Sequence, residues 1–160
     1  GAGTRAAGNS AIMAKLSSWG VPLDGVSLSD GSGLSGENKV TCAAFLAVLE
    51  RYEMSDPLVS KLAISGTTGT LSNVFVGTPL QGRLFGKTGS LSGVKALVGY
   101  VSVEGGSTIR FALLLQSPGV DDEEVFKPIW EGVLTQALGT YPQGPTAEAI
   151  SPLPAMPFGS

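Results

Sequence analysis

The stretch from Leu84 to Gln116 constrains this chain more than any other segment. Residues 94–103 and 108–116 are rich in β-branched and large apolar side chains, and Glu104-Gly105-Gly106-Ser107 between them has the residues of a hairpin turn. The pattern predicts three sequential antiparallel strands over 83–90, 94–103 and 107–116. Phe111-Ala112-Leu113-Leu114-Leu115 does not alternate, so the last strand is expected to be covered on both faces. Such a sheet needs helices, and the flanking segments offer them. Ile12, Leu16 and Trp19 share one face of a helix over 9–19, with Asn9 or Ser10 as its cap and Gly20-Val21-Pro22 at its end. Thr41 precedes Cys42, Phe45, Leu46, Leu49 and Tyr52 at helical spacing, which places Cys42 on a buried face as an inert core residue. Ser55-Asp56-Pro57 predicts a new start and a shorter helix through Ile64. The acidic run Asp121 to Glu124 suits a helix N-terminus, followed by a stripe of Phe126, Ile129, Trp130, Val133, Leu134, Ala137 and Leu138, with Pro128 in the first turn or at a kink.

Composition narrows the chemistry. A length of 160 residues accommodates one domain or one lobe of a larger one, and 42% hydrophobic against 14% charged residues is the balance of a folded interior. Residues 1–139 are read as that unit; from Thr140 onward the chain carries five of its ten prolines without periodicity, so 140–160 reads as an extended or disordered tail. Ten basic and thirteen acidic residues give a net charge of −3 with no basic cluster, which argues against nucleic acid as a partner. No apolar run, Phe111 to Leu115 included, approaches the length of a membrane span, and no signal sequence is evident at the N-terminus. With no histidine and a single cysteine, His-based triads, HExxH metalloproteases and Cys-based zinc sites are excluded, so acid–base work falls to Lys, carboxylates or Tyr. No metal and no cofactor is expected.

The segment with most chemical content is Gly86-Lys87-Thr88-Gly89-Ser90, placed on a strand. It lines up a cation, two hydroxyls and approachable backbone N–H groups, an arrangement that suits a carboxylate beside a reacting carbonyl. Two other segments, Asp30-Gly31-Ser32-Gly33-Leu34-Ser35 with Asn38 and Gly66-Thr67-Thr68-Gly69-Thr70-Leu71, are glycine- and hydroxyl-rich turns in which side chains bond nearby backbone. Gly82-Arg83-Leu84-Phe85-Gly86-Lys87-Thr88 falls one residue short of a phosphate loop. Such a loop must open a helix, whereas the residues after it read as strand, and no acidic residue directly follows Gln116 to handle magnesium.

In order and spacing these segments resemble the class C low-molecular-mass penicillin-binding proteins, the D-alanyl-D-alanine carboxypeptidase/endopeptidase family. The match consists of Asp30 to Ser35 with Asn38, Gly66 with Gly69-Thr70-Leu71, Lys87 to Leu91 with Gly93-Val94, and Gly99-Tyr100, over residues 24–117. Gly36 stands where that family usually has arginine. The resemblance implies an α/β fold, the C-terminal part of a serine β-lactamase/transpeptidase-like architecture with an antiparallel sheet flanked by helices. It implies an acyl-enzyme mechanism on peptidoglycan stem peptides ending in D-Ala-D-Ala, inhibition by β-lactam antibiotics, and a location in the cell envelope. By motif position Lys87 is the catalytic residue polarising the site, and Thr88, Gly89 and Ser90 bind substrate. Thr88 and Ser90 would hold the terminal carboxylate, and the Ser90 N–H would serve the oxyanion hole. The family's Ser-x-x-Lys and Ser-x-Asn motifs are missing. Ser92-Gly93-Val94-Lys95 matches the first only formally, because it lies in predicted strand, where residues three apart point to opposite faces. The expectation is therefore a second chain carrying the N-terminal part of the same enzyme and its serine. The alternative is a catalytically inactive relative that binds peptidoglycan or a partner through the same groove, and a nucleotide-binding protein is the remote one.

Overall fold

The computed structural model describes residues 3–141. Its centre is an antiparallel sheet in the order β1 (Ala63–Ile64), β2 (Leu84–Leu91), β3 (Val94–Ser102) and β4 (Thr108–Gln116). The three long strands stand where the sequence predicts them, and the two-residue β1 is an addition. Leu91 pairs with Val94 across a turn of Ser92 and Gly93, and Gly93 has a φ of +70° that glycine adopts without strain. This turn is tied down from outside: the Gly93 N–H donates to the Asp121 carboxylate at 2.8 Å, and the Ser117 N–H donates to the Gly93 carbonyl at 3.0 Å.

Pleating divides the side chains of the sheet between two faces. Leu84, Gly86, Thr88 and Ser90 share one with Leu97, Val101 and Phe111; Phe85, Lys87 and Gly89 share the other with Tyr100 and Arg110. The first face is the core. There α3 (Glu123–Leu134) lays down Phe126, Trp130 and Leu134, while Leu71, Val74, Phe75 and Leu80 from the loops close its side. The rings of Phe126 and Trp130 meet at 4.7 Å between centroids, tilted by 58°. Burying each of these large side chains stabilises by roughly 1.5–3 kcal/mol. The second face receives α2 (Cys42–Leu49). Its C-terminal carbonyl, that of Leu49, accepts from the Tyr100 hydroxyl at 2.9 Å and from Arg110 Nε at 3.3 Å, and Arg110 Nη2 also reaches the Tyr52 carbonyl.

Several expectations are corrected. The first helix, α1 (Arg5–Ser18), begins earlier than predicted because Thr4 caps it, its hydroxyl accepting from the Ala7 N–H at 3.2 Å. Asn9 instead donates from its side chain to the Leu28 carbonyl. No α-helix follows Ser55-Asp56-Pro57. The Asp56 carboxylate accepts from the Leu58 N–H, and a single 3₁₀ turn, Val59–Lys61, runs into β1. Cys42 is exposed at the first position of α2, while Ala44 takes the buried place. The stripe on α3 is narrower than predicted, since Ile129 and Val133 are 36% and 41% exposed. Pro128 stands in the second turn of α3, where both it and Glu124, whose carbonyl loses its helical donor, are exposed. Beyond Leu134 the helix widens into a π turn, Thr135–Gly139. The predicted tail lies outside the described residues from 142 onward.

Candidate active site

The central feature is the outer edge of β2. β1 pairs only with Phe85 and Gly86, because the 3₁₀ turn ending at Lys61 directs the chain away before it can run alongside Lys87. Lys87 to Leu91 thus pair with β3 on one side and with no strand on the other. The Ser102 N–H bonds to the Arg83 carbonyl and the Ser65 N–H to the Leu84 carbonyl. In an antiparallel ladder this alternation continues, so the odd positions of β2 bond to β3 while the N–H and C=O groups of Thr88 and Ser90 point outward. The segment therefore offers free backbone donors at an edge. It does not curl into a helix start, which removes the phosphate-loop reading of Gly82 to Thr88.

The side chains of this edge fall on both faces. Lys87 is exposed on the α2 face, where its ammonium donates to the carbonyl of its neighbour Thr88 and forms no salt bridge among the described residues. Thr88, half-buried on the opposite face, donates to the Thr70 hydroxyl at 3.0 Å. Gly89 is exposed, and a methyl group added there would meet Ala96 Cβ at an ordinary 3.5 Å, so packing within this chain does not dictate glycine. Ser90 is exposed, and its hydroxyl accepts from Lys95 Nζ at 3.4 Å. The Lys95 ammonium lies 3.7 Å over the Phe126 ring, and burial lowers its pKa against the opposing pull of the Asp121 and Glu123 carboxylates. Ser92 lies in the turn and Lys95 on β3, so the Ser92-to-Lys95 string is not a nucleophile motif.

The wall next to this edge is the segment Gly66 to Leu71. Its Thr68, Gly69 and Thr70 line a groove of about 420 Å³ together with Lys61, Leu62, Ala63, Gly86 and Lys87. Sequence reasoning treated this segment as a turn and missed the contact of Thr70 with Thr88. Its alternating glycines and hydroxyls were the available signal. The Asp30 segment, by contrast, is closed on itself, and among the described residues no hydrogen bond or salt bridge joins it to Lys87. The Asp30 carboxylate accepts from the Gly33 and Ser35 N–H groups and from the Asn38 amide, and the Asn38 carbonyl oxygen returns to the N–H groups of Ser29 and Asp30. These bonds, that of Asn38 foremost, lower the Asp30 pKa to about 2. Among the described residues no cluster of His, Cys, Asp or Glu could hold a metal, and no helix is long and apolar enough to cross a membrane.

Comparison with known proteins supplies the context. Residues 1–133 match the D-Ala-D-Ala carboxypeptidase 3 (S13) family. The chain is 36% identical over 118 residues to carboxypeptidase DacB of Mycolicibacterium smegmatis, covering 68% of this chain and 26% of that protein. It is 38% identical over 109 residues to the D-alanyl-D-alanine carboxypeptidase of an Actinomadura species, covering 63% and 20%. Penicillin-binding protein 4 of Haemophilus influenzae, solved in complex with a β-lactam, superposes with a TM-score of 0.63 at 32% identity, over 73% of this chain and 28% of that one. The chain spans about a quarter or less of the length of the curated relatives it matches.

Proposed function

Because the chain belongs to the D-Ala-D-Ala carboxypeptidase 3 (S13) family, we propose that residues 1–139 are the C-terminal part of the penicillin-binding domain of a serine-type D-Ala-D-Ala carboxypeptidase/endopeptidase. The observation that carries this reading is the unpaired edge of β2. It presents Lys87 and Thr88 together with the outward N–H of Ser90, along the stretch of β2 that β1 leaves uncovered.

On this reading a stem peptide ending in D-Ala-D-Ala lies along β2. The Lys87 ammonium, with no carboxylate partner among the described residues, supplies positive potential where negative charge develops as the serine attacks the penultimate D-Ala carbonyl. The Ser90 N–H donates to the resulting oxyanion, and the Thr88 and Ser90 hydroxyls take the terminal carboxylate. Gly89 keeps the edge low enough for backbone to approach. Attack forms an ester between the serine and the D-Ala acyl group and expels the terminal D-Ala amine, which takes up a proton. Water then hydrolyses the ester. A β-lactam enters the same sequence and stops at the ester.

The nucleophile lies outside this chain in the proposal, contributed by the N-terminal part of the same enzyme as a second chain or a preceding segment. That part would also cover the exposed portion of the α2 face beside Lys87. Residues 140–160, rich in proline, stand outside the catalytic unit in this proposal, and the protein works in the cell envelope, in a periplasmic or extracytoplasmic location. The test is covalent labelling of the full-length protein by a fluorescent penicillin. One label per molecule, displaced by unlabelled β-lactam, is expected; full-length protein that forms no adduct refutes the proposal and leaves an inactive binding module.

A further inference from the structure

We infer that Thr70 is a positioning residue for carboxylate recognition, acting through the hydroxyl of Thr88. The inference rests on the reading of the β2 edge given above and adds a residue to it.

Thr70 is held by more than its neighbours in sequence. Gly66 and Gly69 adopt φ of +61° and +58°, and the Gly66 N–H is shared between the carbonyls of Leu71 and Val74, each at 2.8 Å. The N–H groups of Thr67 and Thr68 both return to the Ile64 carbonyl at 3.0 Å, and the Thr68 hydroxyl accepts from the Ile64 N–H. Leu71, the next residue, is fully buried in the core against the Gly86 position of β2. Side-chain freedom at Thr70 is further limited by β-branching. A hydroxyl mounted on so constrained a turn, 3.0 Å from the Thr88 hydroxyl, fixes where the latter points.

The two hydroxyls also form a pair with two hydrogen-bonding states. Each has one proton to donate and lone pairs to accept. In this structure Thr88 donates to Thr70. When a carboxylate arrives at the edge, Thr88 must donate to it, and Thr70, itself exposed and free to rotate its O–H, becomes the donor to Thr88. The Thr88 oxygen stays bonded throughout, and its proton is delivered along one direction. A donor polarised by a second hydroxyl also bonds a carboxylate more strongly.

The experiment measures the second-order acylation rate by benzylpenicillin, whose carboxylate occupies the same subsite, in the full-length enzyme containing this chain. The parent, Thr70→Val, Thr70→Ser, Thr88→Val and the Thr70→Val/Thr88→Val double variant are compared. Loss of one hydroxyl–hydroxyl bond is expected to slow acylation about fivefold in Thr70→Val, within the range for a single hydrogen bond. Thr70→Ser should restore the parent rate. In the Thr88→Val background, adding Thr70→Val should change the rate less than about twofold, because the group it acts through is gone. A merely structural Thr70 would slow both backgrounds equally, and that result overturns the inference, as does a parent rate in Thr70→Val. A parent enzyme that is never acylated overturns the proposed function itself, and this inference with it.

Discussion

Replacing Gly99 by alanine tests how closely the site strand is bound to its neighbour. Gly99 stands opposite Gly86, the residue before Lys87. A methyl carbon added at Gly99 would lie 2.8 Å from Gly86 Cα and closer still to the Phe85 carbonyl oxygen. Carbon atoms in contact prefer about 3.5–4.0 Å, so β2 would have to move away from β3 by roughly 1 Å. Both obstructing atoms are backbone, so no rotamer change relieves the clash. The cost should reach the upper end of overpacking, about 3 kcal/mol. The strand that moves also carries Lys87, Thr88 and Ser90, and a displacement of about 1 Å at reacting groups costs on the order of 100-fold in rate. Urea unfolding and acylation by a fluorescent penicillin, both on the full-length enzyme, measure the two effects. Gly89→Ala is the stability control, because its methyl meets Ala96 at 3.5 Å; its unfolding free energy should stay within about 0.5 kcal/mol of the parent. Parent-like unfolding and acylation in Gly99→Ala would refute the reasoning, since they would mean that the two strands are not in backbone contact at this point.

Three further outcomes are expected. Lys87→Ala should slow acylation by more than about 100-fold, as removal of a group that stabilises transition-state charge does, while moving the unfolding free energy by less than about 0.5 kcal/mol, since Lys87 is exposed; an unchanged rate removes Lys87 from the site. Ser65→Ala should cost about 1–3 kcal/mol in urea unfolding, because this fully buried hydroxyl donates to the Leu80 carbonyl at 2.6 Å and accepts from the Leu84 N–H at 3.2 Å. Asp30, lowered from 3.8 to about 2, contributes stability that is complete above its unfolded value and is lost as the pH falls toward the folded one. The stability gap between parent and Asp30→Asn should therefore narrow between about pH 4 and about pH 2, and a gap constant over that window contradicts the bonding described for the loop.

The parts of the fold legible in the sequence were those with a repeated physical signature. β-branched and apolar runs with a glycine-rich turn marked β2, β3 and β4, and the Thr41 cap marked α2, its hydroxyl accepting from the Ala44 N–H. The misses have local causes. Ser55-Asp56-Pro57 has the residues of a helix start, yet no amphipathic stretch follows to fill a helix, and Asp56 binds its second neighbour instead. The α3 stripe was drawn too wide because periodicity alone does not say how much of a helix its sheet covers. β1 was invisible, since two residues carry no period. For the site, the Gly86-to-Ser90 string was readable as chemistry. That its edge is bare depends on where β1 stops, which is a property of the 3₁₀ turn at Val59–Lys61. The approach of Thr70 to Thr88 crosses eighteen positions and follows only from the way the Gly66-to-Leu71 turn folds onto the sheet.

The shortness of β1 has one more consequence. A sheet can gain or lose a receptacle without changing any residue that does chemistry, simply by letting a neighbour run on or stop. Two more residues of ladder before Ala63 would lie against Lys87 and Thr88 and occupy the outward N–H and C=O of Thr88, turning an open margin into ordinary interior sheet. The register at which the chain departs thus decides whether the sheet keeps an open margin here or closes on itself.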